Sequence, residues 1–139
     1  MAKQTGLGDV FKIDDSGGTL RTISNDITDY TINISQELID TTGLDKSARE
    51  RITGMSDSDL SVNGVFNPSS NMSHDVFKTR TGTRTVTIQI GGATTGNPEL
   101  TMEMQVASYN LTRATDGSYT WTVTLNLASG TVPAWTTVS

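Results

Sequence analysis

Tyr119-Thr120-Trp121-Thr122-Val123-Thr124-Leu125-Asn126-Leu127 puts a large apolar side chain at every second position, with a hydroxyl or amide in between. Period-two alternation marks a half-buried strand: Tyr119, Trp121, Val123, Leu125 and Leu127 turn to a core, and Thr120, Thr122, Thr124 and Asn126 turn away from it. Such a strand spans about 30 Å at ~3.3 Å per residue. Asp116-Gly117, just upstream, is a hairpin signal, so the preceding segment should be its partner. There Leu100, Met102, Met104 and Val106 share one face, and Thr101, Glu103 and Gln105 share the other. The phase slips at Ala107-Ser108, because Tyr109 and Leu111 are the next large apolar residues, and a β-bulge is expected at that point.

The same reading extends towards the N-terminus. Asp9–Ile13 and Thr19–Ile23 flank Asp14-Asp15-Ser16-Gly17-Gly18 as a hairpin. Asp29–Ser35 alternates, with Tyr30, Ile32 and Ile34 opposite Thr31, Asn33 and Ser35. Leu60–Phe66 and Thr85–Ile90 read as further strands. Asn67-Pro68-Ser69-Ser70-Asn71 offers several caps for one short helix running to Lys78 and burying Met72, Val76 and Phe77. Gln36–Asp59 is 24 residues of weak periodicity. A structureless loop of that length is uncommon, so the segment is either a protruding hairpin or holds a short helix near Asp45–Arg51. The prediction is a mainly β chain: one domain over 1–139, a β-sandwich or small barrel of about seven strands with one short flanking helix. Residues 1–8 form an N-terminal arm, 36–59 a long protruding hairpin arm with a job outside the core, and 129–139 a C-terminal tail.

Composition narrows the function. Of 139 residues 24 are Thr and 14 are Ser, which suits strands with polar faces. There is no Cys and one His, which leaves no disulfide scaffold and no site built from several Cys or His within one chain; no metal or cofactor is expected. The net charge of −5 argues against a protein that grips phosphates. No stretch approaches the ~20 apolar residues of a membrane span, and the first residues lack the apolar run of a secretory signal. Ser73-His74-Asp75 has the residue types of a catalytic triad, but neighbours on a helix diverge, and a solvated helix face is expected instead. Asp14-Asp15 reads as a turn former, and Asp57-Ser58-Asp59 lacks the glycine and distant glutamate of a calcium loop. Nothing converges by spacing into an enzyme.

The order of pieces carries a resemblance. A strand runs into a polar arm with Asp40-Thr41-Thr42, Ser47, Arg49, Gly54-Met55 and Asp57, which returns on Leu60-Ser61-Val62-Asn63-Gly64-Val65-Phe66. A short helix, an alternating strand and a hydroxyl-rich hairpin follow. Over roughly residues 9–128 this resembles the major tail tube protein of long-tailed bacteriophages and the related tail proteins of gene transfer agents. The resemblance implies hexameric rings that stack into a hollow tube around a tape-measure protein. It further implies a tail-tip initiator, a terminator, and passage of DNA without tight binding. The location it implies is the virion tail, after assembly in the bacterial cytoplasm.

The arm would then make contacts between subunits, with Gln36, Glu37, Asp40, Asp45, Arg49, Arg51 and Met55 as candidates. Thr31, Asn33, Ser35, Thr120, Thr122, Thr124 and Asn126 are candidates for lining the bore. Six times −5 gives −30 per ring, a balance that would not hold a duplex. Two other readings stand beside it. One is a monomeric adhesion module with an aromatic platform of Tyr30, Tyr109, Tyr119 and Trp135. The other is a terminator or connector that stops at one ring.

Overall fold

Each alternating segment becomes a strand, and the polar arm becomes an extension of two of them. The computed structural model describes residues 7–128 and 133–139. Strands β1 (Val10–Asp14) and β2 (Leu20–Thr22) form the first hairpin, and a 3-10 turn (Ser24–Asp26) leads to β3 (Ile27–Asp40). β4 (Arg51–Val65) returns, the helix α1 (Ser73–Phe77) follows, and then β5 (Thr83–Gln89), β6 (Pro98–Arg113), β7 (Tyr119–Leu127) and β8 (Ala134–Thr137). Pairing is antiparallel in the order β2-β1-β5-β6-β7-β4-β3, with β8 added on β6.

The two ends of this path come face to face. The Phe11 ring on β1 lies 6.0 Å from the Tyr30 ring on β3, and one core joins both ends. Ile13, Val86 and Ile88 pack in it with Leu60, Val62, Trp121, Val123 and Leu125, while Val76 and Phe77 of α1 close it. The result is sandwich-like: a curled sheet that hides one apolar face on itself. β6 makes the curl possible. Its first half pairs with β5 and its second half with β7, and the register shifts between Val106 and Ser108, at the expected bulge.

The protruding hairpin expected over 36–59 forms from β3 and β4, and two other local expectations change. The chain has an eighth strand, because Ala134–Thr137 pairs with Pro98–Thr101 where a loose tail over 129–139 was expected. Pro133 precedes that strand, where its missing N–H costs no ladder bond. Val138 is buried, its N–H donates to the Asn97 carbonyl, and its own carbonyl accepts from Gly96. Residues 129–132 of that tail, and 1–6 of the N-terminal arm, lie outside the described residues. Secondly, the side-chain cap of α1 comes from outside Asn67–Asn71, although the Asn67 carbonyl accepts from the His74 N–H. The Asp26 carboxylate, 5% exposed, accepts from the Ser73 N–H at 3.0 Å and the Asn67 amide at 2.9 Å. A fixed, buried carboxylate 47 residues upstream serves the first turn better than a flexible neighbour.

Candidate assembly surfaces

The arm is the first surface. β3 and β4 stay paired beyond Asn33↔Asp59, where β7 ends at Asn126 and Leu127, through Ser35↔Asp57 and Gln36↔Ser56 to Asp40↔Arg51. That carries the hairpin about 20 Å past the sheet. A bulge between Gln36 and Leu38 turns the register, and a hollow of about 520 Å³ opens there between Gln36, Glu37, Met55 and Ser56. Three of the arm candidates, Gln36, Glu37 and Met55, therefore meet at one place.

Asp40 and Arg49 meet at the tip. Asp40 accepts from Arg49 Nη1 at 2.5 Å and from the Thr42 hydroxyl at 2.6 Å and amide at 3.0 Å. Those bonds, the Thr42 hydroxyl first, hold the Asp40 carboxyl below its ordinary range. Lys46 pairs with Glu50 at 3.5 Å. Arg51 and Asp45 have no ion pair among the described residues. Around these charges Leu38, Ile39, Leu44, Ile52 and Met55 are all exposed. Ile39 and Ile52 stand directly opposite one another across the hairpin.

The second surface is the outward face of β3, β4, β7 and the far half of β6. Cross-strand registers bring both groups of bore candidates onto this one face. Thr31 lies beside Ser61, Thr124 and Ser108; Asn33 lies beside Asp59, Asn126 and Gln105; Asp29 lies beside Asn63, Thr122 and Asn110. Ser35 faces Asp57, and Thr120 lies between Val65 and Thr112. The Thr122 hydroxyl donates to Asn63 at 2.8 Å, and the Asn63 amide donates to Asp29 at 2.6 Å. Among these paired positions the charged side chains are Asp29, Asp57 and Asp59, with no Lys or Arg.

The third surface is a pair of edges. Among the described strands β3 has a partner on one side only, β4. β6 beyond Gln105 has β7 on one side and no strand on the other, because β5 begins at Thr83 opposite Gln105. The four strands β6-β7-β4-β3 thus present an unpaired backbone edge at each side.

At the end of β4 away from the arm, a cavity of about 560 Å³ opens between β1 and β3, lined by Asp9, Phe11, Ile27, Thr28, Asp29 and Tyr30, among others. The Tyr30 hydroxyl donates to Asp9 at 2.5 Å, and Asp9 also accepts from the Gly91 N–H at 2.7 Å. Burial first, then the Asp9 carboxylate, pushes the Tyr30 phenol far above its ordinary value.

The other candidates disperse. Ser73 is buried with its hydroxyl unpartnered, His74 Nδ1 lies 3.1 Å from the Tyr109 hydroxyl, and Asp75 pairs with Lys78 at 2.7 Å. The solvated face expected for this triplet is therefore corrected. His74 joins Phe66, Phe77, Tyr109, Tyr119 and Trp121 in a ring cluster that seats α1 on the sheet. The aromatic platform does not form either: Tyr109 lies in that cluster, Tyr30 lines the cavity, and Trp135 sits on β8. Asp15 is a turn former, accepting from the Gly17 and Thr19 N–H groups. Among the described residues there is no cluster suited to a metal ion, and no helix is long and apolar enough to cross a membrane.

The family model that matches is described as phage tail tube protein, over residues 3–132. No curated protein matches the chain in sequence. Among solved structures it is similar to the tail of an empty GTA particle with C6 symmetry, at 18% identity and TM-score 0.70, covering 99% of this chain and 100% of that one. The SPP1 tail tube matches at 7% identity and TM-score 0.74, covering 97% and 80%. A sheath/tube terminator of an extracellular contractile injection system matches at 11% identity and TM-score 0.72, covering 98% of each chain.

Proposed function

The chain belongs to the phage tail tube protein family, and from that premise we propose how it builds a tube. Its work is structural and its place is the tail of the particle. The observation that carries the reading is the pair of unpaired edges on the four strands β6-β7-β4-β3. Exposed edges of this length are a polymerisation hazard unless something covers them. Joining the β3 edge of one copy to the β6 edge of the next covers both, and repeating the contact closes a ring. Six copies, as in the C6 tail of the similar particle, contribute four strands each to one continuous wall.

The face with Thr31, Asn33, Ser35, Thr120, Thr122, Thr124 and Asn126 then lines the bore. Its side chains are hydroxyls, amides, three carboxylates and the exposed Val65. A wall without Lys or Arg releases no counterions from DNA, so the duplex passes without being held. The arm, with Gln36, Glu37, Asp40, Asp45, Arg49, Arg51 and Met55, makes contacts between copies and stacks ring on ring. A tape-measure protein would fill the bore during growth, and an initiator and a terminator would set its two limits.

Negative-stain electron microscopy of the purified chain over a concentration series tests this. Hollow tubes with a regular axial repeat are expected. Isolated rings that never stack point to a terminator instead. Monomers at every concentration, with and without a purified tail-tip complex, overturn the assignment in favour of a monomeric binding module.

A further inference from the structure

We infer the register of the seam between neighbouring copies in a ring: Tyr30–Ser35 of β3 pairs with Ser108–Arg113 of β6 in the next copy, and Arg113 docks on the Tyr30–Asp9 pair. This rests on the edge-to-edge reading above. Direction follows from the fold. β3 is antiparallel to β4, β4 to β7 and β7 to β6, so β6 runs opposite to β3. Copies related by rotation about the tube axis keep that relation, and the seam is antiparallel.

Bulges and faces leave one register. β3 pairs regularly from Asp29 to Gln36, between register shifts at Ile27/Asp29 and Gln36/Leu38. β6, past its own shift, is regular from Ser108 to Arg113, where the strand ends. A slip of one residue turns the hydroxyl face of one strand to the apolar face of the other. A slip of two sets Ser108 against Glu37, or Arg113 against Thr28, and both partners lie inside the β3 shifts. The remaining register puts Thr31 opposite Thr112, Asn33 opposite Asn110 and Ser35 opposite Ser108 on the bore face. On the other face Ile32 meets Leu111 and Ile34 meets Tyr109. Directly opposite pairs of like polarity support one another. Ile34 and Leu111 are 40% and 43% exposed in the single copy, and the seam covers both.

Charge fixes the end of the run. Arg113 has no ion pair among the described residues, and neither has Asp9. Opposite Arg113 stands Tyr30, whose hydroxyl donates to Asp9 at 2.5 Å. Asp9 accepts one further hydrogen bond, from the Gly91 N–H, which leaves lone pairs for a guanidinium. Arg113 of the next copy lies along the Tyr30 ring and reaches that carboxylate.

The chain has no cysteine, so introduced pairs read the register. Asn33→Cys with Asn110→Cys sets two Cβ atoms about 4.5–5.5 Å apart across the seam, close enough for a disulfide with little movement. Oxidised tubes should give covalent oligomers of up to six subunits and no larger. Asn33→Cys combined with Ser108→Cys, or with Thr112→Cys, should cross-link at least tenfold more slowly. A faster reaction in either control overturns the register. A ladder running past six, or no cross-link in well-formed rings, overturns it too. Arg113→Glu and Asp9→Lys should each raise the concentration needed for rings at least tenfold, and their combination should restore it. Arg113→Glu that assembles like the wild type, or a combination without rescue when all three melt normally, removes Arg113 from the seam. If the wild type forms neither rings nor tubes, the tube reading itself fails and the seam falls with it.

Discussion

Gly64 stands where three elements touch. A Cβ there would overlap the Asp26 carbonyl and the Trp121 ring, and neither can yield. Trp121 is fixed by its indole N–H donating to the Val65 carbonyl at 2.8 Å, and Asp26 by its bonds to Ser73 and Asn67. Gly64→Ala is therefore expected to destabilise the fold by about 2–3 kcal/mol, read as a lowered melting temperature, through overpacking rather than strain in φ. An unchanged melting temperature would mean that β4 and β7 sit further apart than described. Arg84 shows the same dependence on distant groups. It is 1% exposed, and its guanidinium donates to the carbonyls of Val76, Thr79, Thr81 and Asp14 with no carboxylate in contact. Burial pushes its pKa down. It ties the carbonyls after α1 to the ends of β1 and β5. Neither role was legible in the sequence, because Gly64 read there as an ordinary strand position and Arg84 as the end of a polar stretch before the strand Thr85–Ile90, and a fold is needed to bring Asp26, Trp121 and Asp14 to them.

Elements were more legible than contacts. Alternation located β7 to the residue, and the one-residue slip located the bulge in β6, because a pleated strand turns a sequence period into a face. It also supplied both groups of bore candidates, though only pairing could show that β3 and β7 turn them to one face with β4 between. Cysteines at Asn33, Thr120 and Asn126 test that face. In the monomer all three positions are exposed and should react quickly with a bulky thiol reagent. In assembled tubes labelling should slow by at least tenfold, and equal rates in both states would remove these residues from the bore. β8 escaped notice because four residues after a proline carry too short a period to read, and all four remain exposed on a docked edge. The arm left two readings open because its tip is polar and its apolar residues, Ile39 and Ile52 among them, face outwards with no core to set a phase.

Acid should loosen the whole molecule through its turns. Asp15 is held below the ordinary aspartate value of 3.8 by the Thr19 amide first, Asp40 by the Thr42 hydroxyl, Asp75 by Lys78, and Asp116 by the Ser118 amide. A carboxyl with a depressed folded-state pKa stabilises fully above the unfolded value and loses that contribution as pH falls through the folded one. The melting temperature should therefore hold from pH 7 to about 5 and fall below about 4; a rise there would refute the assignment. These bonds close the first hairpin, the arm, α1 and the β6–β7 turn, so the loss is spread over the chain. One consequence belongs to the arm and the cavity at opposite ends of β4. Copies stacked as proposed would all point the same way, so the finished tube would be polar, like an arrow. One mouth would then show the arms and the other the cavities. A protein shaped to seed growth at the first would not fit the second, and the direction of elongation would be set by the subunit before any partner arrived.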